Sequence, residues 1–358
     1  MEINMTHIYK NADLFGKKVD IKCIDGKIAE IGEFSEDGTD LKGYKVFPGL
    51  IDIHSHGCIG YDTMDGNHLE QMSEYYAKNG TTSWLPTTMT MSMEDITRVV
   101  NADIPKNTPC NILGFHMEGP YISPKHKGAQ NESFIKVPST EEFSKLKNIK
   151  IVTVAPEVEN AMDFIKNCGA VVSLGHTDCD YRCGTEAIEN GASCLTHTFN
   201  AMPPLHHRNP GVIGAAIEKE IYVQVICDGL HIHKSVIKML YKTFGADKMI
   251  LISDSMCATG LKDGKYVFGG QDIVVKNSEA RTMDGALAGS TTTLLNCVKK
   301  AIEFGIPESD AFKMASETPA KLLKLNKGRI EVGCDADFIV LDNNYNVIQT
   351  VVGGKSII

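Results

Sequence analysis

His54 and His56 stand two residues apart at the end of an apolar run, and Glu118, His176 and His197 each close a later run of the same kind. Residues i and i+2 of a strand share a face, so the two imidazoles of the HxH would enter one cavity. An HxH alone is also what a solvent-facing strand end shows. Joined to Glu118, His176 and His197, it becomes a His/Glu donor set of the kind that zinc and similar borderline cations accept. A divalent ion with an open coordination position lowers the pKa of its water from about 15.7 to near 7. A carboxylate opposite must then take the remaining proton and return it to a leaving group. Asp254, in LISDSM, is placed for that, a plain loop or N-cap Asp being the bland alternative. His7, His68, His116 and His126 fit no strand-end pattern and read as structural or surface residues, although His116 would share the face of Glu118.

The elements that must position these groups are legible between about Pro48 and Asn326, where strand, loop and helix alternate as in a parallel sheet with crossover helices. Eight strands can be counted: GLIDIHSH, TTSWLPTT, NILGFHME, IKIVTVAPE, AVVSLGHT, SCLTHTFN, YVQVICDG and MILISDS. Eight units favour a closed (β/α)8 TIM-like barrel over an open doubly wound sheet, and in such a barrel the chemistry sits at the C-terminal strand ends. Those ends also carry Thr87, Thr88, Glu157 and Asp228 with His231. So many polar groups on one rim are costly to desolvate without a purpose. STTTLLNCVKKAIEF after the last strand reads as a helix with Leu294, Leu295, Val298 and Ile302 on one face, and Gly289-Ser290 as its opening, with Ser290 the N-cap. The chain ends differ from the middle. Residues 17 to 31 give a hairpin about Asp25-Gly26, and the last thirty give strand, Asn-rich turn and strand. Residues 1–47 and 327–358 are therefore expected to form one small β-sandwich domain around the barrel of residues 48–326.

Composition narrows the partners. Lys+Arg 36 against Asp+Glu 45 leaves a formal charge of -9, which opposes the basic footprint that nucleic-acid binding needs. The 11 cysteines are scattered without CxxC pairs and read as reduced thiols of a cytoplasmic protein. Eighteen apolar residues never run together, and the opening MEINMTHIYKNADLF is no signal or transit segment, so no membrane partner is expected.

PGLIDIHSHG at 48–57 and GRIEVGCDADFIVLD at 328–342 resemble the opening and closing signatures of the amidohydrolase superfamily of metal-dependent barrels. GFHMEGPYISPKHKGAQN, SLGHTDCDY, LTHTFNAMPPLHHRNPGVIGAA, CDGLHIH and ISDSMCATG resemble, within it, the N-acetylglucosamine-6-phosphate deacetylase family. The resemblance implies hydrolysis of the acetamide of N-acetyl-D-glucosamine 6-phosphate. It implies Glu118, His176 and His197 as the main metal ligands and Asp254 as acid/base, with His54 and His56 holding a second ion bridged by Glu118. One or two divalent ions per subunit follow, zinc first, with iron, manganese or cobalt also acceptable to such ligands. It places substrate contacts at Asn200, Ala201, His231 and Arg208, and at Ala129, Gln130, Leu287 and Ala288. It further implies a homodimer, in which Arg208 acts across the interface.

Where some members of the family have a His near the substrate carbonyl, this chain has Gln130, which can donate a hydrogen bond but cannot become imidazolium. From the residues alone, His206, His207 and Arg208 are a basic patch suited to phosphate or a solvated loop. A helix opening at Gly289-Ser290 would offer a second anion site. A cyclic-amide hydrolase would carry a carboxylated Lys at the end of strand four, where this chain has Val154-Ala155-Pro156-Glu157 and keeps Lys150 at the start. A deaminase would show His-Ala-x-Glu after strand five, which is missing. A barrel that had lost its metal would not retain all of these ligands.

Overall fold

The structure, a computed structural model, describes residues 5–357; residues 1–4 and 358, expected above in the terminal domain, lie outside the described residues. The eight strands form one parallel run: Leu50–Ser55, Thr81–Thr88, Phe115–Glu118, Ile149–Val154, Val171–Leu174, Ala192–Leu195, Tyr222–Ile226 and Met249–Ile252. Hydrogen bonds close the ring between its last and first members, Asp254 N donating to the His54 carbonyl at 2.9 Å and His56 N to that of Ser255 at 2.7 Å. Strand three is interrupted at Leu113-Gly114, and Asn111–Ile112 pairs separately with strand two.

The barrel interior is layered. Ile51, Ile53, Leu85, Ile151, Ile250 and Ile252 pack into an apolar floor. Above them lies a hydrogen-bonded polar layer. His116 lies between the Ile53 carbonyl (3.0 Å) and Thr153 Oγ1 (2.8 Å), and Thr153 meets Thr196 at 2.9 Å, which meets Ser173 at 2.7 Å. His116 is thus a satisfied structural histidine, despite sharing the face of Glu118. Crossover helices cover the outside because their sequences are amphipathic. In Met93–Val100, for example, Ser92 caps the first turn through Asp95 N, and Ile96, Val99 and Val100 are buried.

The helix after strand eight runs from Leu294 to Glu303 and buries Leu294, Leu295 and Val298, with Ile302 only partly covered. Its N-cap is Thr293, not Ser290. Ser290 is drawn back to the barrel instead, donating through Oγ to the Ser253 carbonyl and through N to that of Asp254. The anion site expected at Gly289-Ser290 therefore has no helix start to form it. Between strand eight and this helix lies an element absent from the sequence reading, an antiparallel sheet of Gly264–Phe268, Gln271–Lys276 and Glu279–Thr282. Its signals, Gly269-Gly270 and Asn277-Ser278 between alternating segments, are ordinary hairpin turns.

The chain termini share one mixed sheet of eight strands, joined where Lys45–Pro48 pairs antiparallel with Phe338–Leu341. The expected hairpin is present, Lys17–Ile24 pairing with Lys27–Gly32. Asp25 and Gly26 take φ 49° and 80°, the left-handed pair that a two-residue turn needs. Among the described residues, no helix is long and apolar enough to cross a membrane. Lys327 fastens this sheet to the barrel: its buried Nζ donates to Ser83 Oγ and to Asp337 Oδ2, each at 2.8 Å. Lys327→Met, which strands the Asp337 carboxylate, is expected to lower unfolding free energy by about 3 kcal/mol or more. Urea denaturation followed by circular dichroism measures it, and a change below about 1 kcal/mol would refute the role.

Candidate metal-dependent active site

His176, His197 and Asp254 each lie two residues beyond a strand end, at Leu174, Leu195 and Ile252, and left-handed backbone at all three turns their side chains into the site. Glu118 ends strand three, and His54 and His56 come from strand one. In an unbroken strand Ile53 and His54 would face opposite ways. Both are found inside the barrel, and the pairing with strand two slips between Asp52 and Ser55, which provides the turn this requires.

The donors form two groups that share Glu118, with His176 and His197 in one and His54 and His56 in the other. Glu118 Oε1 lies 3.0 Å from His197 Nε2, 3.3 Å from His176 Nε2 and 3.3 Å from His54 Nε2, while Oε2 lies 3.2 Å from His56 Nε2. The Nε2 atoms approach each other as well, His176 and His197 to 3.1 Å and His54 and His56 to 3.3 Å. Ligand atoms about 2.0–2.1 Å from a tetrahedral ion lie roughly 3.3 Å apart, so these spacings fit a divalent metal. The far ring nitrogens set the tautomers. His176 Nδ1 lies 2.9 Å from the His126 carbonyl and His56 Nδ1 lies 3.1 Å from that of Thr87. A carbonyl can only accept, so each Nε2 is left with its lone pair. His54 Nδ1 is held at 3.0 Å by Gln224 Oε1, a polar residue inside an apolar strand that the sequence reading passed over.

The charges tell the same story. Burial opposes ionisation of Glu118, yet the surrounding imidazoles, His54 and His176 foremost, hold its carboxyl well below the usual range. Burial would depress His56, but Asp254 and Glu118 outweigh it and push the imidazole up to about 10. His54 is raised by the same pair against its burial. The two carboxylates thus favour the charged form of His54 and His56, whereas burial holds His197 below its ordinary value. Asp254 Oδ1 stands 3.5 Å from His54 Nε2 and 3.3 Å from His56 Nε2, across the cluster. His176, His197 and Asp254 have φ of 48°, 26° and 49°, left-handed backbone that costs a non-glycine residue of order 1 kcal/mol or more and that concentrates where function needs fixed geometry.

A cavity of about 210 Å³ opens onto these groups. Ala129, Gln130, Asn200, Ala201, His231 and Leu287 line it, as does His56, whereas His54 lies beneath. His231 Nδ1 is bound to Asp228 Oδ2 at 2.7 Å, which leaves Nε2 for the cavity. Burial opposes its charging, but Asp228 raises its pKa above the ordinary value. Ala288 is fully buried behind the lining, bonded to the Ala280 carbonyl. Arg208 is exposed, does not line the cavity and contacts His207 Nε2 at 2.8 Å. Glu157 works from outside, accepting from Thr177 Oγ1 and Asp178 N to hold the loop that carries His176.

Gln130 lines the cavity and makes two bonds the sequence did not reveal: its Nε2 donates to Glu118 Oε2 at 2.6 Å, and its Oε1 accepts from Thr90 N at 2.7 Å, so the amide clamps a metal-site carboxylate. Gly128, Ala286 and the large apolar side chains of Met89 and Phe268 also line the cavity and were not foreseen.

The amidohydrolase family model matches residues 45–357. This chain belongs to the amidohydrolase family. Its relatives include the N-acetylglucosamine-6-phosphate deacetylase of Bacillus subtilis (strain 168), 40% identical and covering 92% of this chain and 90% of that protein. The N-acetylgalactosamine-6-phosphate deacetylase of Escherichia coli O157:H7 is 30% identical over 98% of this chain and 99% of its own. The crystal structure of N-acetylglucosamine-6-phosphate deacetylase from Pasteurella multocida superposes with a TM-score of 0.92 at 32% identity, covering 98% of this chain and 99% of that one. The barrel presents its His/Glu donors at the C-terminal strand ends. Removing an outer-shell partner of a metal ligand typically costs 10–100-fold in affinity. Gln130→Met, similar in length but without the donor, is expected to weaken metal binding about 10-fold or more, read by competition with a chromophoric chelator. Unchanged affinity would remove Gln130 from this role.

Proposed function

We propose that this amidohydrolase cleaves the acetamide of N-acetyl-D-glucosamine 6-phosphate, giving D-glucosamine 6-phosphate and acetate in amino-sugar catabolism and recycling. The observation that carries the reading is Asp254 set across from the Glu118-centred imidazole cluster within one cavity. A divalent ion at these donors supplies Lewis acidity, polarising the amide carbonyl and acidifying the attacking water. Glu118, His176 and His197 would hold it, and His54 and His56 with Glu118 a second. Asp254 takes the water proton as the new C–O bond forms. It then delivers that proton to the amide nitrogen as the C–N bond breaks, so acetate and the free amine leave in balance. His231, fixed by Asp228, and Asn200 face the sugar, with the main chain at Ala129, Ala201 and Leu287 completing the lining.

Zinc is the first choice for this donor set, and iron, manganese or cobalt also suit it. Arg208 is exposed and away from its own cavity, which suits a homodimer in which its guanidinium binds the phosphate in a neighbouring subunit. All eleven cysteines are free thiols, in keeping with a cytoplasmic enzyme.

Acetate release from N-acetylglucosamine 6-phosphate, with the unphosphorylated sugar and N-acetylgalactosamine 6-phosphate beside it, tests the reading on protein of known metal content. Fast cleavage of the first substrate alone is expected. Equal rates on all three would overturn the phosphate and epimer assignments, and none on any would overturn the activity. Asp254→Asn is expected to lose on the order of 10²- to 10⁴-fold in turnover while retaining metal. Near-normal turnover in that variant would dismiss Asp254 as the proton carrier.

A further inference from the structure

The cavity has two unlike sides. In an eight-stranded barrel the loops after strands two and six lie opposite each other. The loop after strand six supplies Asn200 to the lining, and that after strand seven supplies His231. Facing them are Met89, which directly follows strand two, and Phe268, from the hairpin inserted after strand eight. Both are buried, at 1% and 2% exposure. Phe268 meets His56 edge-on with ring centroids 5.2 Å apart, and Met89 Sδ lies 3.8 Å from Gln130 Nε2, the atom that clamps Glu118.

The polar side suits hydroxyls. The single apolar substituent of an N-acyl amino-sugar phosphate is its acyl chain, and it hangs from the carbonyl that must sit at the metal donors. We propose that Met89 and Phe268 form the acyl wall of the site and restrict the substrate to short acyl groups, acetyl above all. The proposal rests on the deacetylase reading above.

The wall is backed by packed structure. The hairpin turns at Gly269-Gly270, with φ of 56° and 75° between the paired Phe268 and Gln271. A Cβ on Gly269 would stand 2.8 Å from Met89 Cε, so the turn lies against the end of the methionine side chain. Gln271 Nε2 donates to the Ala129 carbonyl at 2.6 Å and ties the tip to the loop after strand three. Behind it, Ile273, Val275 and Ala280 pack with Met256 in a small core of their own. A longer acyl chain would have to displace this packed layer, and overpacking of that kind is resisted.

The test compares N-acetyl-, N-propionyl- and N-butyryl-glucosamine 6-phosphate on wild type, Met89→Ala and Phe268→Leu, each assayed for metal content. Wild type is expected to lose roughly 10-fold or more in kcat/KM per added methylene. Met89→Ala is expected to narrow the acetyl-to-butyryl ratio by about 10-fold or more through improved butyryl turnover, with metal content unchanged. Should that variant fail to hold metal, Met89→Val and Phe268→Leu carry the same comparison. Wild type that cleaves butyryl as well as acetyl, or variants that scale all three substrates equally, would overturn the wall. If wild type cleaves none of the three, the deacetylase reading falls and the proposal with it; cleavage of acetyl without a change of ratio defeats the wall alone.

Discussion

One buried carboxylate organises this molecule. Glu118 is 2% exposed and has an imidazole from each of His54, His56, His176 and His197 within 3.3 Å. Taking a carboxylate out of water costs several kcal/mol unless charge and hydrogen bonds replace the solvent. Here the replacement comes from strands one, three, five and six together, so the site exists only when the barrel has closed. The clamp from Gln130 removes the last freedom of the second oxygen.

The barrel beneath is built to keep those groups still. An apolar floor excludes water, a hydrogen-bonded layer of His116, Thr153, Thr196 and Ser173 joins neighbouring strands, and the donors stand above it. Left-handed backbone at His176, His197 and Asp254 turns each side chain back over the cavity. Such strain persists only where surrounding contacts over-determine it. For Asp254 these include the backbone bonds to His54 and Ser290, the first of which helps close the ring. Fold closure and site geometry are thus one constraint seen from two ends.

The remaining elements divide by distance from that constraint. The terminal sheet draws on both chain ends and is held to the barrel through the buried Lys327–Asp337 pair, far in sequence from any donor. The hairpin of residues 264–282 does the opposite work. It carries Phe268 to the face of His56 and closes one side of the cavity. An insertion after a barrel strand can change what fits the cavity without disturbing the strands that hold the donors, which is how one barrel serves many substrates.

Much of this was written in the chain. Eight strands beginning apolar and ending polar, with His or carboxylate residues at or just past their ends, are local patterns that need no partner to be read. The terminal hairpin at Asp25-Gly26 is equally local, because left-handed φ at both turn positions is a property of those residues. What the sequence left open depends on contacts between distant segments. Ser290 has the right side chain for a helix cap, but it is bonded to the Ser253 carbonyl, and the cap falls to Thr293. Gln130 has the donor the sequence suggests, but its bonds to Glu118 Oε2 and Thr90 N follow only from their nearness in the closed barrel. Ile53 and His54 share the interior because pairing with strand two slips, a register that neither residue encodes. Residue type set what each group could do, and three-dimensional proximity set which partner would satisfy it, since a buried polar atom bonds to whatever the closed barrel brings within reach.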